Sequence, residues 1–186
     1  DICILFFTFE MPAKKILLRD IIANTNVRRK YLLSAQDNII NETQESSVKS
    51  YLDTVKHKDI YFIETPCNIQ QYEEICREYH QKTGKKIIAI SDHSLLFKGK
   101  TASDERGMLV DVYERIVTIK NEFWSNHIVL SQLNREIESA IRRTPKSPLN
   151  FPDKSCLFGS DSGYQCADNV IVIHRPYLLK FVGNTY

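Results

Sequence analysis

A chain of 186 residues, 42% hydrophobic and 26% charged, is long enough for one domain with a sizeable core and too ordinary in composition for a disordered or fibrous protein. Its formal net charge of +2 excludes a chain-wide basic surface, so any nucleic-acid contact must rest on local patches. The 5 cysteines are scattered without zinc-site spacing and read as reduced, packed thiols of a cytoplasmic protein; no signal peptide is visible, and no apolar run approaches the roughly 20 residues that cross a bilayer.

The elements follow in chain order. Ile2 to Phe9 is a near-continuous apolar run, the pattern of a central parallel strand covered on both faces. It begins one residue into the chain, and further sequence upstream is expected. Pro12 suits the first turn of a helix reaching about Asn24, with Ile16, Leu17, Ile21 and Ile22 on one stripe. Glu42 to Lys56 reads as an exposed helix. A second strand is expected over Asp59 to Glu64. Asn68 can cap a helix whose apolar stripe is Ile69, Tyr72, Ile75, Cys76 and Tyr79, and Gly84 stops it. Lys86 to Ser91 is a third strand. The next helix, from about Glu105 to Phe123, turns Leu109, Val112, Ile116, Ile119 and Phe123 inward. His127 to Ser131 and Asn169 to His174 complete five expected strands, and the proline-bearing stretch Thr144 to Asp153 is expected to stay irregular. Strands alternating with helices imply parallel βαβ units. No linker or internal repeat divides the chain, so residues 1–186 read as a single unit.

Three polar residues each follow an apolar strand at its carboxyl end, where open α/β sheets bind ligands. Glu10 suits a general base that polarises an attacking water, or a helix N-terminal acid favoured by the dipole. Asp92 suits a Mg²⁺-associated carboxylate, or the cap of a turn. Gln132 can donate and accept hydrogen bonds, which suits a group sensing a phosphate, or a tie between two loops. In a parallel sheet all three fall on one edge. That convergence is harder to attribute to three unrelated caps than any one residue alone.

Several segments resemble replicative hexameric DNA helicases of the bacterial DnaB type. Phe6-Phe7-Thr8-Phe9-Glu10-Met11-Pro12-Ala13 is similar to the family's second-strand motif, and Ile60-Tyr61-Phe62-Ile63-Glu64-Thr65-Pro66 to the strand that follows. Ile88-Ala89-Ile90-Ser91-Asp92 occupies the Walker B place. Ser131-Gln132-Leu133-Asn134-Arg135 resembles the third motif in near-verbatim form, and Ser155 to Asp168 the segment with a DNA-facing loop. The resemblance runs from about Ile2 to Pro176. It implies an incomplete RecA-like three-layer α/β sandwich with a mostly parallel sheet, in a ring of six with ATP between neighbours and single-stranded DNA in the channel. It implies Glu10 as catalytic base, Asp92 as the Mg²⁺-associated acid and Gln132 as γ-phosphate sensor coupled to the DNA loops. A primase and a helicase loader are implied as further partners of the full-length protein. His93 and Phe158-Gly159 depart from the bacterial pattern and point toward bacteriophage-type relatives. The place of action is then a bacterial or phage-infected cytoplasm.

No G-x-x-x-x-G-K-[ST] phosphate loop is present. Gly99-Lys100-Thr101 has Ser94 at the first glycine place and follows the wrong strand. The family's phosphate loop lies upstream of its second strand and its arginine finger beyond the Asn169 to His174 strand. The chain is therefore expected to be an interior piece of an ATP-dependent helicase, inactive alone. DNA contacts are expected from Lys98, Lys100, Arg135, Arg142, Arg143 and Lys146, from the backbone around Gly159, and from Tyr164 if it stacks on a base. The competing readings are a recombinase-like or regulatory RecA-fold ATPase and a non-catalytic DNA-binding or ring-interaction module.

Overall fold

Short apolar runs rich in β-branched residues cannot satisfy their backbone groups alone, and four of them here pair into one parallel sheet. These are β1 (Ile2–Thr8), β2 (Ile60–Ile63), β3 (Lys86–Asp92) and β4 (Asn126–Val129), in the order β2-β1-β3-β4. The computed structural model describes residues 1–34, 39–92, 105–143, 151–157 and 162–173. The register places Ile4 opposite Ile60, Thr8 opposite Asp92, and Ala89 opposite His127.

Between the strands run α1 (Ala13–Thr25), α2 (Arg29–Leu32), α3 (Glu42–Val55), α4 (Ile69–Thr83) and α5 (Glu105–Phe123); α6 (Ser162–Cys166) follows β4. The expected long helices form where their apolar periodicity lies. The boundaries of α4 have a local chemical cause. The Asn68 side chain accepts from the Gln71 amide at 2.9 Å, and the Gln71 side chain accepts from the Asn68 amide at 3.0 Å. This reciprocal pair satisfies two of the amides a helix start leaves open. Gly84 ends the helix at φ +64, a left-handed conformation that costs glycine nothing. Asn68→Ala is expected to lower stability by about 1 kcal/mol. A urea midpoint identical to that of the parent chain would show that the cap contributes nothing.

The core lies on one face of the sheet. Cys3, Leu5 and Phe7 of β1 and Ile87 and Ala89 of β3 pack against Tyr72 and Cys76 of α4 and Val112, Ile116 and Ile119 of α5, all buried. The Phe7 and Tyr72 rings sit 4.4 Å apart. Glu73 of α4 links Arg77 and Arg115, and Arg77 reaches Glu122, so charged side chains bridge α4 and α5 at the edge of this core. The α1–α3 connection runs from β1 to β2, opposite in direction to the connections through α4 and α5, and right-handed crossovers then place it on the other side. The face there is apolar, carrying Ile4, Phe6, Phe62, Ile88 and Ile90, yet none of these residues is buried.

Two expectations need correction. The segment from Asn169 to Ile173 forms no strand: Ile171 and Ile173 are 86% and 90% exposed. A β-rich composition supplies the propensity, but a strand exists only where another edge accepts its hydrogen bonds. The strand expected over His127 to Ser131 begins at Asn126 and ends at Val129, although the Leu130 amide still donates to the Ser91 carbonyl at 3.0 Å. All five cysteines are free; four are buried, and burial pushes the Cys67 and Cys76 thiols up to about 11 and about 12. Among the described residues no helix is long and apolar enough to cross a membrane.

Candidate functional site

The carboxyl ends of β1, β3 and β4 form one rim because the three strands are parallel neighbours. Asp92 is the last residue of β3 and stands in register with Thr8 of β1. Glu10 lies two residues beyond Thr8. On the other side Ser91 is paired with Val129, and Gln132 lies three residues further on. The expected trio is thus gathered by register. With strands about 4.8 Å apart, the outer two are separated by roughly 10 Å where they end, a span suited to a chain of phosphates.

Local bonds set the approach to each residue. Thr8, 2% exposed, donates from its hydroxyl to the Met11 carbonyl and closes the bend that carries Glu10. The first amide of α1, at Ala13, donates to the Glu64 carboxylate at 2.7 Å. Glu64 therefore takes the helix-start position considered for Glu10. Glu10 and Gln132 are both exposed, and Asp92 is partly covered.

Beyond Gln132 the chain is pinned to a later segment. Leu133 forms an antiparallel bridge with Leu157. The Asn134 amide donates to the Cys156 carbonyl at 2.7 Å, and its side chain donates to the Ser155 carbonyl at 2.7 Å. Two short 3₁₀ turns follow, Arg135–Glu138 and Ala140–Arg143. Asn134 and Glu64 stand inside the segments that carry the family resemblance, but neither has an assignable role until the chain is folded, because each bonds a partner distant in sequence.

The basic residues divide. Arg135 is exposed beside the rim segment. Arg142, expected to contact DNA, is 5% exposed, and its guanidinium meets the Phe151 carbonyl at 3.1 Å, the Ser155 hydroxyl at 3.5 Å and the Asp153 carboxylate at 3.6 Å. It ties the 151–157 stretch to the turn before it. Hydrogen bonds from the Ser155 hydroxyl and amide, with the nearby Arg142 charge, hold the Asp153 carboxyl below its ordinary range. Arg143 ends the second turn. Lys98, Lys100, Lys146 and Gly159 lie outside the described residues. Tyr164 is 47% exposed on α6, whose Gly163 lies so close to the Tyr113 ring of α5 that an added Cβ would sit 2.9 Å from it.

The fit to a magnesium ion can be judged from the donors. Mg²⁺ keeps several waters and takes one or two protein carboxylates plus phosphate oxygens. One carboxylate at the rim, Asp92, meets that requirement, and among the described residues no cluster of three or more ligating side chains offers a closed metal cage.

Residues 1–184 match the family described as DnaB-like helicase C terminal domain. The chain belongs to this family. It is 28% identical over 178 residues to the replicative DNA helicase DnaB of Haemophilus influenzae (strain ATCC 51907 / DSM 11121 / KW20 / Rd), covering 92% of this chain and 36% of that protein. It is 25% identical over 177 residues to the replicative DNA helicase DnaC of Bacillus subtilis (strain 168), covering 94% of this chain and 37% of the relative. This DnaB-like chain therefore spans little more than a third of the length of these relatives. A solved structure of an ATPase domain superposes with a TM-score of 0.77 at 19% identity, over 89% of this chain and 57% of that one. A DnaB-like replicative helicase solved in a study of its interactions with primase gives 0.77 and 19%, over 89% and 38%. The fold is thus the RecA-like α/β fold of DnaB-type ATPase domains, as the resemblance implied.

Proposed function

We propose that residues 1–186 form part of the ATPase domain of a replicative DNA helicase, which couples ATP hydrolysis to translocation along single-stranded DNA and unwinds the duplex. The observation that carries this reading is the gathering of Glu10, Asp92 and Gln132 on the shared rim of three adjacent parallel strands. A carboxylate base, a magnesium-associated acid and a phosphate-sensing amide are the parts that γ-phosphate hydrolysis needs besides the loop that grips the phosphates. That loop is absent from these 186 residues, and in this reading it is supplied by another part of the full-length protein.

Each residue has a distinct task. Glu10 accepts a proton from the attacking water. Asp92 would help to hold Mg²⁺, which when bound would supply positive charge to offset that on the phosphate oxygens. Gln132 bonds the γ-phosphate while it is present. Its neighbours Leu133 and Asn134 are bonded to residues 155–157, so a displacement of Gln132 is passed to the segment that enters the proposed DNA-facing loop. The exposed Arg135 beside this segment, with Lys98, Lys100, Arg143 and the backbone at Gly159, supplies DNA-phosphate contacts in this scheme. The full-length protein assembles as a homo-hexamer and works with a primase and a loader.

Gln132→Ala in the full-length protein tests the coupling. DNA-stimulated hydrolysis is expected to fall by about tenfold or more, the scale of one lost charge-assisted hydrogen bond, while nucleotide affinity changes little. Equal losses in affinity and in stimulated turnover would remove the sensor role.

A further inference from the structure

The sensor-bearing strand has an unusual register problem. β4 is the last strand of the described sheet and pairs on one side only, through four residues opposite Ile88 to Ser91. His127 and Val129 point to the core face, while Asn126 and Ile128 point away. Ile128 and Leu130 are 50% and 47% exposed. The hydrophobic effect alone therefore does not favour the observed register. Sliding β4 by one residue would turn every side chain to the opposite face and bring Ile128 and Leu130 over the core. The same slip would turn the chain leading to Gln132 away from its place on the rim.

What opposes the slip is polar. The Tyr72 hydroxyl, on a residue with 0% exposure, lies 2.7 Å from Nδ1 of His127. The Ser125 hydroxyl, on a residue 3% exposed, lies 2.8 Å from Nε2. Both ring nitrogens are engaged, one from α4 and one from the turn between α5 and β4. The Tyr72 bond, from a separate helix, fixes the axial position and face of the ring, and the Ser125 bond, from two residues earlier in the same stretch of chain, fixes its orientation. The Tyr72 and His127 rings also pack at 5.7 Å.

We infer that Tyr72, His127 and Ser125 form a register lock that holds β4, and with it Gln132, in the position the rim requires. His127 and Tyr72 are positioning residues: they lie on the core face of the sheet and act through the strand. A buried polar set that is fully bonded specifies one arrangement where apolar packing would accept two. The lock itself is a property of the sheet; only its consequence for Gln132 rests on the helicase reading.

The test uses the 186-residue chain in solution with two variants, His127→Ala and Tyr72→Phe. Interstrand backbone NOEs in the parent should pair Ala89 with His127. In His127→Ala, which removes the ring without placing a large apolar side chain on the core face, a second set pairing Ala89 with Asn126 or Ile128 is expected. In Tyr72→Phe, which removes one hydroxyl and leaves the packing, exchange of the Leu130 amide should quicken by about tenfold, equivalent to ~1.4 kcal/mol. A merely space-filling role would lower stability without a second register. A single native register in both variants, with parental exchange at Leu130, overturns the lock. If His127→Ala does not fold, Tyr72→Phe decides by the same amide. A second register that leaves DNA-stimulated turnover of the full-length protein unaltered would support the lock and count against the sensor role of Gln132.

Discussion

Glu10→Gln in the full-length protein is expected to leave ATP binding close to that of the parent and to reduce turnover by ~10²-fold or more, the scale on which a lost general base is felt. Glutamine has nearly the same shape as glutamate but cannot take the proton of the attacking water. Glu10 sits in an exposed bend held by the Thr8 hydroxyl and the Met11 carbonyl, and the start of α1 is anchored by Glu64. Glu64 anchors the first amide of α1, and glutamine keeps an acceptor oxygen at position 10, so thermal unfolding should be little changed. Equilibrium binding of a non-hydrolysable ATP analogue and single-turnover hydrolysis separate the two effects. A parallel fall in both would mean that Glu10 contributes to holding nucleotide, not to moving the proton. Glu64→Gln is the internal control: it weakens the acceptor at the first amide of α1 and should affect stability before it affects chemistry.

Most of the sheet and its helices were legible in the sequence because their causes are local. The stripe of α5 from Leu109 to Ile119 and the cap at Asn68 need no distant partner to be recognised, and both stand where expected. The rim was legible for a related reason: a polar residue at the end of an apolar run marks a carboxyl edge in any parallel sheet. What escaped depends on pairing. Asn169 to Ile173 has every local attribute of a strand, and Ile171 remains 86% exposed because no described strand edge bonds to it. Arg142 looks like its neighbours as a loop cation, yet its value is fixed by Phe151, Asp153 and Ser155, which chain order does not place beside it. The roles of Glu64 and Asn134 were hidden in the same way. His127 reads as one letter in an apolar run, and only the fold shows that both its nitrogens are engaged.

That engagement of His127 has a cost in acid, and the second large effect is expected there. Burial, reinforced by the nearby Lys120 charge, lowers the imidazole from its ordinary 6.5 to about 4. Lys120 itself pairs with Asp168 at 2.8 Å, so the charge next to the ring is held in place. At pH values above 6.5 the ring is neutral whether the chain is folded or not, and the shift contributes nothing to pH dependence. As the pH falls below 6.5 the unfolded chain takes up a proton that the folded site refuses until about 4. Stability should therefore decline across that window, by about 3 kcal/mol in total for a shift of this size. Carboxylates that are held low by partners lose their contribution at more acidic pH, below the ordinary 3.8 for Asp59 beside Lys85 and below the ordinary 4.5 for Glu122 beside Arg77. The slope between 6.5 and about 4.5 can therefore be read with little interference from them. Urea unfolding at half-unit pH steps measures it directly. His127→Gln removes the titrating ring, so its unfolding free energy should be nearly flat over the same range even though its stability at neutral pH is lower. An undiminished slope in His127→Gln would assign the acid sensitivity to other groups. A flat profile in the parent chain would show instead that the folded site accepts the proton, and that the Tyr72 and Ser125 bonds tolerate a charged ring.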